Sequence, residues 1–109
     1  MSGNPNRELK MQLTLSPLVP GDLEEIAEYI ALDSPRHAAR TIRLLRARMK
    51  EIAERPEIHR LRPEIGADAR LACVGQYVIL FRIREKVVRI ERVVHGGRDL
   101  LPILEDAEK

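Results

Sequence analysis

Residues 70–95 read RLACVGQYVILFRIREKVVRIERVVH, and this stretch decides the fold. Three apolar runs, 70–74, 77–84 and 87–95, are rich in Val and Ile and are separated by two residues each, Gly75-Gln76 and Glu85-Lys86. Two-residue spacers between strand-type runs specify tight hairpins, so the spacing predicts an antiparallel meander. Gly75 suits the first turn, which needs positive φ; Glu85-Lys86 brings no glycine to the second.

Upstream, residues 10–16 alternate, with Met11, Leu13 and Leu15 on one face and Lys10, Gln12, Thr14 and Ser16 on the other. That is the pattern of a strand with one buried side. From Pro20 the period changes. Leu23, Ile26, Ala27 and Ile30 recur at helical spacing, with Asp22, Glu24 and Glu25 near the positive N-terminal end. Ser34 and Pro35 supply an N-cap and a first-turn proline for a second helix, whose buried stripe is Ala38, Ile42, Leu45, Met49 and Ile52. Pro56 ends it near Arg55. Residues 57–68 show neither period and read as a loop. The order β-α-α-β-β-β predicts an α+β fold, one antiparallel sheet with a helical hairpin packed on one face. Residues 1–9 are expected to be a flexible extension and 10–109 a single domain, with Asp99 capping a last helical turn.

A chain of 109 residues supports one modest core. No run approaches the roughly 18 apolar residues of a membrane span, and MSGNPNRELK lacks the apolar centre of a signal peptide, so a cytosolic protein without membrane contact is expected. The lone Cys73 has no disulfide partner and reads as an inert core thiol. His37, His59 and His95 are too scattered for a zinc site, so neither a metal nor another cofactor is expected. The net charge of +2 conceals a bias, 15 Arg against 4 Lys, and arginine suits bidentate contact with carboxylate or phosphate. With three aromatics, Tyr29, Tyr77 and Phe81, a single-strand stacking platform is missing, and folded or acidic protein partners fit better than bare nucleic acid.

The segment ERVVHGGRDL, 91–100, holds the candidate chemistry. Gly96-Gly97 lacks the longer glycine pattern and lysine of a phosphate loop and reads as a turn needing positive φ. His95 and Asp99 resemble a base and its orienting carboxylate, but no Ser, Cys or Thr nucleophile lies in the segment. A ribonuclease that uses the RNA's own 2′-OH needs a base, an acid and cations, which His95, Arg82, Arg92 and Arg98 offer; a hydrogen-bonded structural histidine is the competing reading. Arg82 and Arg92 interrupt apolar strands. Arg92 falls on the face of Val88, Ile90 and Val94, where it must pair or face a groove, with Glu91 or Asp99 as conceivable partners. Arg36, Arg40 and Arg43 share one helix face, whereas residues 22–33 hold five acids and no base. Cross-hairpin ion pairs and a docking strip for an acidic partner are both consistent with this segregation.

Three stretches in order, PGDLEEIAEYIALDSPRHAARTI, VGQYVILFRI and IERVVHGGRDL, resemble the ParE branch of the RelE/ParE toxins of bacterial type II toxin–antitoxin modules. The resemblance runs from about Leu13 to Leu101. It implies a toxin that poisons DNA gyrase by stabilising its cleaved DNA complex without itself being an enzyme. It also implies neutralisation by a ParD-like antitoxin whose flexible tail folds along the toxin. The toxin alone is expected to make no sequence-specific contact with nucleic acid. Tyr77, Arg82, Arg92, His95, Gly96, Arg98 and Asp99 match the ParE pattern, and of these Tyr77, Arg82, Arg92, His95, Arg98 and Asp99 are the expected target contacts. Gly97 departs from the more usual alanine. Arg36, Arg40 and Arg43 are the expected antitoxin contacts. The late tyrosine of the RelE-like nucleases has no match, since nothing after Phe81 is aromatic. A ribosome-dependent mRNA interferase and a degenerate, non-toxic member are the alternative readings.

Overall fold

A computed structural model describes residues 11–97 together with Leu100, Pro102 and Ile103. Its elements are β1 (Gln12–Leu15), α1 (Val19–Ala31), α2 (Pro35–Glu54), a 3-10 turn (Pro56–Ile58), β2 (Arg70–Val74), β3 (Tyr77–Arg84) and β4 (Val87–His95). The expected α+β order is the observed one. The expected N-terminal extension lies outside the described residues.

The meander forms as its spacers dictate. Gly75 holds φ +58° at the first turn. At the second, Glu85 and Lys86 adopt φ 51° and 65°, so the hairpin imposes a two-residue left-handed turn on side chains that disfavour it. In α2, Ser34 accepts a hydrogen bond from the His37 N–H at 3.1 Å, a cap that typically contributes ~1 kcal/mol. Ala38, Thr41, Leu45, Met49, Ile52 and Ala53 form its buried face.

One strand pairing differs from the all-antiparallel expectation. The sheet order is β1-β4-β3-β2, and β1 runs parallel to β4, so the sheet is mixed. The cause is the reach of α2. Its 20 residues span about 30 Å, about the length of the nine-residue β4, and return the chain to the starting end of β1, where the Met11 N–H bonds the Ala53 carbonyl at 2.9 Å. β2 therefore starts at the same end as β1, and two hairpin reversals leave β4 parallel to it.

The helices cover one sheet face, where Leu23, Ile26, Leu45, Met49 and Ile52 pack on Ile79, Phe81, Val88, Ile90 and Val93. The opposite face has a smaller cluster, Val78, Leu80 and Val94 under Ile65, Ala69 and Ile103. Met11 and Leu13 pack on the helix-side core as expected, but the β1 alternation ends early: Leu15 is exposed and Ser16 buried. There the chain leaves the sheet, and the Ser16 hydroxyl donates to the Glu91 carbonyl at 2.6 Å.

Candidate functional site

A β-bulge sets the geometry of the site. Leu80 pairs with Arg92 and Phe81 with Ile90, leaving Glu91 as an extra residue in β4. The side-chain parity flips across it. Val88 and Ile90 face the helices, whereas Arg92 shares the opposite face with Leu80 and Val94, correcting the expectation that Arg92 lines up with Val88 and Ile90.

Beyond Ile90, β4 has lost its neighbour, because β1 ends at Leu15. The first turn of α1 fills that edge. Asp22 accepts the Val93 N–H at 3.0 Å, in place of a strand carbonyl, and clamps Arg92 through Nε at 2.8 Å and Nη2 at 2.7 Å. Arg92 Nη1 also stands 3.5 Å from the Ile103 carbonyl. Among the described residues the acid that pairs with Arg92 is thus Asp22, 70 residues away in sequence, rather than Glu91. Asp99 and Arg98 lie outside the described residues.

Arg82 is likewise enclosed, at 2% exposure. Its Nε is 2.9 Å from Asp68, and its Nη1 is 3.5 Å from Glu91, itself 2% exposed. Asp68 also receives Arg84 Nε, and Glu91 receives Arg89 Nε, each at 2.9 Å. The network pins the 59–69 loop to the sheet through Asp68. An arginine this deep, stripped of its acids, would be far costlier than an exposed one.

Tyr77 and His95 meet at the open end of the sheet. They are cross-strand partners, their rings edge-to-face with centroids 5.8 Å apart. Beside them lies a cleft of about 380 Å³ between α1 and the ends of β3 and β4, lined by Glu25, Ile26, Tyr29, Gln76 and Val93 as well. His95 is exposed, and its Nδ1 accepts the Gly97 N–H at 3.1 Å, which leaves Nε2 to carry the proton of the neutral ring. Burial, and then the Tyr29 phenol, raise the pKa of Tyr77, so its hydroxyl stays a neutral donor. Neither Gly96 nor Gly97 adopts positive φ, against expectation. A Cβ at Gly96 would meet the Gln76 carbonyl at 3.4 Å, an ordinary contact, and one at Gly97 would lie 3.3 Å from His95 Nδ1, tight but against a side chain.

Among the described residues no carboxylate hydrogen-bonds His95, and none of them form a group of three or more His, Cys, Asp or Glu arranged to hold a metal. Arg36, Arg40 and Arg43 project from the outer face of α2, exposed and without an ion pair among the described residues, so the acids of α1 do not neutralise them across the hairpin. Leu44 and Tyr29 are exposed beside this strip, around a second groove that also includes His37, Val74 and Tyr77. Cys73 is exposed rather than buried: Ala72 points into the core, so its neighbour on the edge strand points out, and Arg48 bonds the Cys73 carbonyl at 2.9 Å. No helix among the described residues is long and apolar enough to cross a membrane.

A mixed four-stranded sheet under a helical hairpin is shared with chains in solved toxin–antitoxin complexes. A chain from the structure of a chromosomal ParDE TA system from P. aeruginosa is similar at a TM-score of 0.69 and 20% identity, covering 79% of this chain and 96% of that one. A RelBE toxin–antitoxin complex from Mycobacterium tuberculosis is similar at 0.56 and 20%, covering 79% and 98%. At that identity the likeness is one of fold. The sequence family is decided by the model of ParE toxins of type II toxin–antitoxin systems, which matches residues 13–100; the chain belongs to that family. No curated protein sequence matches it.

Proposed function

We propose that this toxin poisons DNA gyrase by protein contact, stabilising the cleaved gyrase–DNA complex, and that a ParD-like antitoxin silences it in the cytosol. The observation that supports contact over catalysis is the fate of the cations. Arg82 and Arg92, which a phosphoryl-transfer site would aim at a phosphate, are each bound to acids within the fold. Among the described residues His95 rests against Tyr77 and Gly97, and none of their carboxylates hydrogen-bonds it. In this reading Tyr77 and His95 touch the target, joined by Arg98 and Asp99, while Arg82 and Arg92 hold the surface in shape. The antitoxin lays an acidic segment along Arg36, Arg40 and Arg43 and its apolar residues beside Leu44 and Tyr29.

Two assays on one toxin preparation test the proposal. Purified gyrase with supercoiled plasmid should accumulate cleaved DNA in proportion to toxin, and mRNA on translating ribosomes should stay intact. Cleaved mRNA with no effect on gyrase would replace this reading with an interferase.

A further inference from the structure

The cleft beside Tyr77 and His95 has a chemical bias that the gyrase reading does not use. Its walls are aromatic and apolar, formed by Tyr29, Tyr77, His95, Ile26 and Val93, and the carboxylates lining it are Asp22 and Glu25. Asp22 is already matched by Arg92. Glu25 is exposed, and neither it nor its neighbours Glu24 and Glu28 form an ion pair among the described residues. α1 carries no Lys or Arg to offset them. About 380 Å³ is room for a long side chain and too little for a folded element.

We infer that the cleft receives a cationic side chain, an arginine or lysine, projected by the target protein. The aliphatic stem would lie against Ile26 and Val93, the cationic head against the faces of Tyr29 and Tyr77, and Glu25 would take its charge. An anionic group would be repelled by Glu25, and an apolar side chain would desolvate that carboxylate without a partner. This inference rests on the reading of the cleft as a target-binding surface, and it assigns the opposite charge preference from the Arg36–Arg40–Arg43 strip. One molecule would thus present an acidic pocket to its target and a basic strip to its antitoxin.

The test is a titration of the isotopically labelled toxin with N-acetyl-arginine amide and, in parallel, with N-acetyl-citrulline amide, which has nearly the same shape and no charge. NMR follows the ring signals of Tyr29, Tyr77 and His95. The arginine compound should give saturable shifts that weaken with salt and the citrulline compound should not. Glu25→Gln should weaken the arginine response several-fold, and Glu25→Lys should abolish it. Equal responses to the two compounds, or no saturable response to arginine, overturn the inference, and the comparison on the wild-type protein does not depend on either variant folding. Gyrase is absent from this titration, so the inference and the gyrase reading fail independently.

Discussion

Asp22→Ala tests the contact that builds the site. The substitution removes the carboxylate that accepts from Arg92 Nε and Nη2 and from the Val93 N–H, contacts of 2.7–3.0 Å made by a residue 7% exposed. Breaking a buried pair from one side usually costs about 3–5 kcal/mol, because the remaining charge is left in a poor environment. Here the Arg92 side chain keeps 15% exposure and its contact with the Ile103 carbonyl, which places the cost near the lower end, at about 3 kcal/mol. For a domain of this size that lowers the melting temperature by about 12 °C, and it removes a large share of a total stability of roughly 5–15 kcal/mol. Asp22→Asn keeps an acceptor for Val93 and should lose about half as much. Joint replacement, Asp22→Leu with Arg92→Met, should cost less than Asp22→Ala alone, since the stranded charge is gone. Urea unfolding followed by circular dichroism measures all three. A loss below about 1 kcal/mol for Asp22→Ala, or strict additivity in the double variant, would refute the claim that this pair replaces the missing strand edge.

Replacing Glu85-Lys86 with Asn-Gly should stabilise the protein by about 1 kcal/mol, because both positions hold positive φ; an unchanged urea midpoint would show that the turn is not strained. Burial, and then Arg48 and Arg70, hold the His59 pKa below its ordinary value, so the folded state binds fewer protons than the unfolded chain and stability should fall as pH drops from about 6.5 through the folded value. His59→Gln should flatten that limb in unfolding measured across pH. For Asp68, burial acts to raise the pKa, but the hydrogen bond and charge of Arg84, then the charge of Arg82, prevail and lower it. Its stabilisation is present above the unfolded carboxyl value near 4 and lost as pH falls through the folded one, a limb that Asp68→Asn should remove. Reversing Arg36, Arg40 and Arg43 to Glu should slow antitoxin association and flatten its salt dependence in stopped-flow measurements; unchanged rates at low and high salt would remove these residues from the interface.

What was legible in the sequence depended on local periodicity and turn chemistry. The strand bounds of the meander and the Ser34-Pro35 start of α2 appear in the structure where spacing and capping residues place them. The parallel β1–β4 pairing was not legible, because it follows from how far α2 carries the chain, a property of packing rather than of either strand's pattern. The bulge at Glu91 was hidden for a related reason. Nothing in VVRIERVV marks which residue the partner strand will skip, yet that one residue decides which face Arg92 occupies. The sequence showed that Arg82 and Arg92 needed partners. It could not name Asp68 and Asp22, which reach them only after a loop and a helix have folded back. The cleft is less legible still: Glu25, Tyr29 and Gln76 carry no motif and converge because α1 crosses the end of the sheet. Even the two glycines were placed correctly for a turn but for the wrong reason, since neither has positive φ.

The central claim, that the toxin acts by contact and not by catalysis, is tested most directly by His95→Ala. The measurement is the amount of cleaved plasmid that accumulates with purified gyrase at matched concentrations of wild-type toxin and variant, each shown to be folded by its melting curve. His95 is exposed and among the described residues holds the Gly97 N–H and the edge of Tyr77, so the variant should fold and keep activity within a few-fold of wild type. A fall of ~10²-fold or more in a folded variant, the size of effect that loss of an acid–base group produces, would contradict the account.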